Sequence, residues 1–295
     1  MDDFRERLIA LLHYSGMSWS KVLQFMKKDP SLQSAIHDES QFCQYSLFPS
    51  STNTISKSTP SLTSIQLENI TQQIAKYEKN GIKVITIFDQ NYPSLLKEIY
   101  QPPWVLFVKG DLSLLEIQPK LAVVGSRKAT QYGKSAIRLM FPSLVEKGVV
   151  IVSGLASGVD TLAHEYAMKN GGKTIAVIAG GVYHIYPKEN AELAKEMMKS
   201  QLVISEYPPD TKPLRWHFPA RNRIISGLSN GTFIIEAKRK SGSLITANYA
   251  VNEGREVFSL PGSIFNQNSL GTNDLIQQGA KLVMSSEDIL EELRL

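Results

Sequence analysis

The feature that most limits how this chain can fold is an alternation that begins after Pro119. Short β-branched runs take turns with segments of 3.6-residue apolar spacing. The runs are Leu121 to Val124, Val149 to Val152, Thr174 to Ile178, Leu202 to Ser205, Thr232 to Ile235, Glu256 to Leu260 and Lys281 to Met284. The helical segments between them are Tyr132 to Lys147, Asp160 to Asn170, Glu189 to Ser200, Ala220 to Leu228 and Leu244 to Glu253. Several runs are apolar throughout rather than alternating, which suits strands covered on both faces, and parallel neighbours need a helical crossover. The pattern predicts an α/β domain with an extended, Rossmann-like, doubly wound, mainly parallel sheet. Two earlier strands, Lys83 to Phe88 and Trp104 to Val108, are expected to extend it.

Ahead of this domain the chain has a different style. Phe4, Leu8, Leu11 and Leu12 share one helical face, and after Gly16 a second run brings Val22, Leu23, Phe25 and Met26 together, with Ser18 or Ser20 available as a cap. Residues 1–42 therefore read as a small all-α module. Serine and threonine dominate from Ser46 to Ser64, with Pro49 and Pro60, which marks a linker. Ile65 to Asn80 is predicted to be a helix stopped by Gly81. The expected domains are 1–62 and 63–295. With 295 residues, two domains are the natural number, and 42% apolar with 20% charged residues excludes wholesale disorder. The lone Cys43 excludes an intrachain disulfide and a multi-cysteine zinc cluster, and fits a reducing compartment. No basic signal region opens the chain, and no apolar run approaches the roughly 18 residues needed to span a bilayer. A soluble, cytoplasmic protein with no membrane partner is expected.

In open α/β sheets ligands bind beyond the carboxyl ends of strands, where the following helices present free N–H groups. The first such loop reads Gly125-Ser126-Arg127-Lys128-Ala129-Thr130. Glycine allows close backbone approach, the hydroxyl can donate, and an arginine can hold a phosphate by two parallel bonds. The second reads Ser153-Gly154-Leu155-Ala156-Ser157-Gly158-Val159-Asp160, a candidate anion nest. Asp160 reads as a helix N-terminal residue, and His164 as lying on the exposed or half-buried face of that helix. Gly180-Gly181 is a less specific version of the same signal. Neither G-x-G-x-x-G nor G-x-x-x-x-G-K-[ST] occurs, which weighs against dinucleotide dehydrogenases and P-loop ATPases.

The most informative stretch runs from Arg215 to Ser243. It holds Arg215, Arg221, Arg223, Lys238, Arg239 and Lys240 against the single acid Glu236, which explains most of the chain's net charge of +4. Trp216 and Phe218 stand beside the arginines. Cations that hold phosphates, next to rings that accept unpaired bases, suit a single nucleic-acid strand. Taken singly, each signal has an ordinary reading: a tight turn, a solvated charged face, an aromatic in the core. Their convergence at one edge of the predicted sheet is what favours a shared groove.

At these residues the sequence resembles the DprA (Smf) family of DNA-processing proteins. The resemblance rests on Gly125-Ser126-Arg127, the stretch Ser153 to Asp160, Phe218-Pro219-Ala220-Arg221-Asn222-Arg223-Ile224-Ile225-Ser226-Gly227-Leu228-Ser229, Glu236-Ala237, Ser241-Gly242-Ser243 and Pro261-Gly262-Ser263. It implies a protein that binds single-stranded DNA without reading sequence and loads the RecA recombinase onto it. In the family this protects incoming DNA in natural transformation and displaces single-strand-binding protein. Carried over, Gly125, Ser126 and Arg127 contact phosphate, with Ser153 and Gly154 beside them. Arg215, Phe218, Arg221, Asn222 and Arg223 line the groove, and Lys238 with Ser241, Gly242 and Ser243 closes it. Some relatives carry lysine at position 215, so the charge matches better than the residue type. The resemblance also implies a homodimer through the region of Asn273, Leu275, Ile276 and Leu282, and a sterile-alpha-motif-like identity for the N-terminal module. It implies no cofactor and no catalytic residue, and the winged-helix domain that ends some relatives is not expected here.

The alternative is a nucleotide-binding Rossmann-like enzyme that cleaves nucleoside monophosphates. Such a site needs a carboxylate to stabilise charge at the sugar or activate water. Glu236 is the sole acid of the basic stretch, and the helix opening Ser243-Leu244-Ile245-Thr246 has none in its first two turns, so Glu236 is expected to orient an arginine or lysine instead. Five scattered histidines with no H-x-x-x-H spacing suggest no metal site. A scaffold that has lost its ligand site would not be expected to keep three glycine and hydroxyl loops.

Overall fold

The computed structural model describes residues 3–13, 17–33, 36–37 and 62–294, in two compact units, 1–86 and 87–295. Most of the serine-rich stretch, and Cys43, lie outside the described residues.

The first unit contains α1 (Asp3–His13), α2 (Trp19–Lys28), a two-residue strand β1 (Ile36–His37), β2 (Leu62–Thr63), α3 (Ser64–Lys79) and β3 (Ile82–Thr86). Leu8, Leu11 and Val22 are buried as their spacing predicts, together with Ile9 and Ala10. Ser18 is the cap of α2, its hydroxyl accepting from the Lys21 N–H at 3.4 Å. Arg7 Nε donates to the Ser31 carbonyl at 2.8 Å, tying α1 to the turn after α2. The all-α reading of this region missed the parallel β1–β2 pair, because two residues per strand are too short to display a period.

The second unit contains α4 (Ser94–Lys97), β4 (Val105–Gly110), β5 (Lys120–Val124), α5 (Gln131–Glu146), β6 (Val150–Ser153), α6 (Val159–Lys169), β7 (Thr174–Ile178) and α7 (Ala191–Ser200). It continues with β8 (Leu202–Ser205), α8 (His217–Gly227), β9 (Gly231–Ile234), α9 (Gly242–Asn252), β10 (Glu256–Ser259), α10 (Leu270–Gln277), β11 (Lys281–Leu282) and α11 (Glu287–Leu290). The strands of this unit lie in the order β11-β10-β9-β5-β6-β7-β8-β4. All pairs are parallel except β4–β8, whose antiparallel pairing sets Phe107 opposite Ser205. The mainly parallel, doubly wound sheet predicted from the alternation is therefore the fold. Leu121, Val123, Ile151 and Phe233 from the strands pack with Ile137, Phe141 and Leu144 of α5 and Ala163 of α6 in an apolar core.

The order of strands fixes where a ligand can sit. From β5 the chain winds outward through β6, β7 and β8, then returns to lay β9 on the other side of β5, with Val124 beside Ile234. The winding direction reverses between β5 and β9, so the crossovers on either side diverge and leave a crevice beyond the carboxyl ends of those two strands. Helix α8 starts at His217, before the apolar period becomes legible. Pro219 falls within its first turn, where its missing N–H has no partner to lose. Helix α10 had no sequence signal, since its few apolar residues make only one turn of pattern.

Candidate functional site

A cleft of about 630 Å³ opens at this reversal point. Its walls come from the loop after β5 (Gly125, Ser126, Arg127), the loop after β6 (Ala156, Asp160), Tyr186, the start of α8 (Arg215, Phe218, Arg221, Asn222), and the loop after β9 running into α9 (Lys238, Lys240, Ser241, Gly242, Ser243). Arg127, Arg215 and Lys238 thus share one concavity. Five cations and one acid, Asp160, line it.

The two glycine loops interlock to build one wall. Gly158 has φ +82, and a side chain there would overlap the backbone of Ser126 and Arg127; the next residue, Val159, donates its N–H to the Ser126 carbonyl at 3.1 Å. Ser126 Oγ accepts from the Lys128 N–H at 3.1 Å, closing a tight turn around Arg127. The Arg127 guanidinium lies 6.0 Å from the centre of the Phe218 ring, and Tyr186 meets the same ring edge-on at 5.5 Å. Opposite, the amide of Asn222 donates to the Gly242 carbonyl at 3.2 Å, which ties α8 to the first turn of α9. Ser241 is the cap residue of α9, its Oγ 3.0 Å from Ser243 Oγ rather than on a backbone N–H of the helix, and Gly242 and Ser243 of that first turn line the cleft. Among the described residues, Arg127, Arg215, Lys238 and Lys240 make no ion pair, whereas Arg223 and Arg239 do.

Beneath this rim the residue types repeat with different work. Arg221 is 5% exposed and donates through Nη1 to the carbonyls of Gly154 and Val177, and through Nε to Asn222 Oδ1 at 3.2 Å. Its guanidinium occupies the space a side chain at position 154 would need, which explains the glycine there. Asp160 is buried beside this charge and accepts from the Ala156 N–H at 3.3 Å; burial raises its pKa to about 6 against the pull of Arg221. The same burial lowers Arg221 to about 10, leaving it charged at neutral pH. Arg223 points elsewhere: it is bonded to Glu206 by both terminal nitrogens, at 2.9 and 2.5 Å, and its Nε donates to the Gln101 carbonyl at 3.1 Å. Ser153 is fully buried, its hydroxyl donating to the Val123 carbonyl at 2.6 Å. Of the residues expected to line a groove, Arg223 and Ser153 are therefore not brought to the cleft. Gly154 faces a small adjoining recess with Arg127, Tyr186 and Phe218.

Two further expectations are corrected. Glu236 does not orient a basic residue: it is 1% exposed and accepts from the Thr130 N–H at 2.9 Å and from the Thr130 hydroxyl, which fixes the entry to α5. Glu236 is thus committed to a structural role, and the carboxylate that lines the cleft is Asp160. His164 is wholly buried rather than half-exposed. Its Nδ1 is 2.7 Å from Thr174 Oγ1, and burial lowers its pKa to about 3. Asp160 does open α6 as expected, yet it also faces the cleft. In the region implied for a dimer contact, the Asn273 side chain pairs with both backbone groups of Gly262, Leu275 is 8% exposed, Ile276 is half-buried and Leu282 is 38% exposed. Among the described residues there is no cluster of three or more His, Cys, Asp or Glu that could hold a metal, and no helix is long and apolar enough to cross a membrane.

Sequence reasoning missed Tyr186, Ile225, Ile245 and Thr246 as cleft residues and left Lys240 out of the groove. Lys240 had a signal, as part of the basic run. Tyr186 had none, because it arrives from the long connection after β7, where no period or motif places it.

A family model described as DNA recombination-mediator protein A matches residues 83–294. The chain is 53% identical over 220 residues to the DNA processing protein DprA of Bacillus subtilis, covering 75% of this chain and 74% of that one. It is 52% identical over 207 residues to the DNA processing protein DprA of Streptococcus pneumoniae, covering 70% and 73%. Among solved structures, the X-ray structure of DNA processing protein A from Streptococcus pneumoniae matches with a TM-score of 0.77 at 40% identity, covering 97% of each chain. The structure describing the single-stranded DNA binding mode of DNA processing protein A from Helicobacter pylori matches with a TM-score of 0.65 at 32% identity, covering 72% of this chain and 95% of that one.

Proposed function

This chain belongs to the DprA family of DNA-processing proteins, and from that premise we propose that it binds single-stranded DNA without reading its sequence and loads the RecA recombinase onto it. The observation that carries the proposal is the meeting, in one cleft, of four cations free of ion pairs among the described residues with two aromatic rings. Arg127, Arg215, Lys238 and Lys240 hold phosphates; Gly125, Ser126, Gly242 and Ser243 let the backbone approach them. Phe218, edge-packed by Tyr186, receives a base. Arg221, Asn222 and Arg223 act from behind, holding the loops that present these groups, and Ser153 and Gly154 give the floor its shape.

The wider role follows the family: in the cytoplasm, the protein protects incoming DNA in natural transformation and displaces single-strand-binding protein. The family's recombination-mediator description supports this. A homodimer through Asn273, Leu275, Ile276 and Leu282 belongs to the same proposal, supported by the half-exposed Leu282 and the 71% exposed Met284 on one chain edge. Linking two clefts raises the effective concentration of DNA at the second. Leu282→Glu should then give a monomer in light scattering; an unchanged mass would remove that contact.

Strand exchange by RecA on DNA coated with single-strand-binding protein tests the main proposal. Addition of this protein should stimulate the reaction, and Arg127→Ala should not. Binding without stimulation would leave a passive DNA binder. Release of free base from nucleoside monophosphates would replace the proposal with hydrolysis.

A further inference from the structure

The cleft uses Arg215 and Phe218 but not Trp216, which lies between them and is 67% exposed. An indole left in water forgoes the transfer free energy that burial would recover, and this one has a fixed seat. Trp216 stands directly before α8, and its ring meets His217 edge-on at 5.9 Å. His217 is itself buried, stacked on Tyr207 at 3.8 Å with Nδ1 3.0 Å from the Ala179 carbonyl. The approach to Trp216 is tied to the loop after β7: the Thr211 carbonyl accepts from the Gly181 N–H at 2.8 Å, and the Pro209 carbonyl from the Tyr183 N–H at 3.1 Å. The His217 N–H then closes the turn onto the Leu214 carbonyl at 3.0 Å. Lys212 and Arg215, which precede Trp216 in the chain, are both exposed, and Arg215 also lines the cleft. An exposed ring seated on a buried neighbour, one residue from a cleft-lining arginine, has the form of a stacking platform for an unpaired base.

Resting on the reading of the cleft as a single-strand site, we propose that Trp216 is a second base-stacking position outside it, reached by a strand that passes over Arg215, with Lys212 meeting the phosphate beyond. The strand's track is then longer than the cleft. Oligomers that fill only the cleft are blind to Trp216, and longer ones depend on it.

The test compares wild type, Trp216→Ala, Trp216→Tyr and Arg127→Ala, each of the full chain, on oligothymidylates of about 4 and about 12 nucleotides. Trp216→Ala should weaken the longer oligomer about 10-fold and leave the shorter unchanged, while Trp216→Tyr keeps most of the affinity. The longer oligomer should quench the indole fluorescence of wild type, and Trp216→Phe, which retains Trp19 and Trp104, should lose that quenching. Melting curves check that each variant stays folded, as an exposed position predicts. Wild-type affinity of Trp216→Ala for both lengths, equal losses on both, or quenching that survives Trp216→Phe would each overturn the platform. If wild type binds neither oligomer, the reading of the cleft itself fails; if Arg127→Ala weakens both and Trp216→Ala neither, only the platform does.

Discussion

Arg215 and Arg221 come from the same basic stretch, one on the rim of the cleft and the other on its floor. The rim arginine is exposed and free of ion pairs among the described residues, while the floor arginine is 5% exposed and bonded to two backbone carbonyls beside Asp160. Arg223, with its Glu206 partner, repeats the floor arrangement, and Lys240 repeats that of the rim. The difference teaches that a cation's partners, rather than its type or its place in a motif, decide whether it is available to a ligand. A buried charge must be matched inside the protein or it destabilises the fold, and once matched it has little left to give a phosphate. An exposed cation keeps its hydrogen bonds for whatever arrives.

The largest effect that would break this comparison is on stability. Arg221→Ala leaves Asp160 and two carbonyls without their partner, and should destabilise the fold by about 3–5 kcal/mol in denaturant melts. Adding Asp160→Asn should recover part of the loss, because the stranded charge is gone. A variant that melts like wild type and loses only DNA binding would abolish the distinction between floor and rim. Next in size, Arg127→Ala or Arg215→Ala should weaken single-stranded DNA binding by about 1.5–3 kcal/mol, roughly 10- to 100-fold, with stability inside about 0.5 kcal/mol of wild type. Fluorescence anisotropy alongside a melting curve separates the two responses.

Salt sharpens the same contrast. If the four rim cations each neutralise one phosphate, log affinity should fall with log salt at a slope near −3, since each contact on a single strand contributes about −0.7. Removing one rim cation should flatten the slope by about 0.7, whereas a variant of a buried, paired cation that still folds, such as Arg223→Lys, should leave it unchanged. The smallest effect is on pH. Asp160 is an acid whose pKa burial raises to about 6, so it takes up a proton as pH falls through that value. Loss of its negative charge makes the cleft more cationic, so DNA affinity should rise a few-fold from pH 7 to pH 5 at low salt, on the order of an ordinary ion-pair energy. Asp160→Asn should remove that rise. For stability, the proton on Asp160 favours the fold fully below its ordinary 3.8 and loses that effect as pH rises through about 6. His164 has the opposite sign: held neutral by burial down to about 3, it contributes stability above 6.5 that drains away as pH falls.

Much of the fold was legible because strand and helix periods are local. The runs at Thr174 and Leu202 match β7 and β8 residue for residue, whereas the order of the strands, and with it the reversal between β5 and β9, came only from the tertiary structure. Helix α10 was not legible, for lack of length, nor was the direction of β4, since an antiparallel edge strand carries the same apolar run as a parallel one. In the site, Gly125, Arg127, Arg215 and Lys238 were readable from loop position and charge. The burial of Arg223 was not, because Glu206 and Gln101 reach it from other elements. Tyr186 was invisible for the same reason in reverse: only packing against Phe218 gives it a role.

What the amino-acid sequence determined by itself is the layered sheet, the edge at which a ligand must sit and the excess of positive charge delivered there. These depend on hydrophobic period, chain connectivity and composition, which act over a few residues at a time. Only the tertiary structure decided which cations are spent on the protein and which are left for a partner. That choice depends on distances between groups far apart in the chain, and on the cost of taking a charge out of water, which no local pattern records.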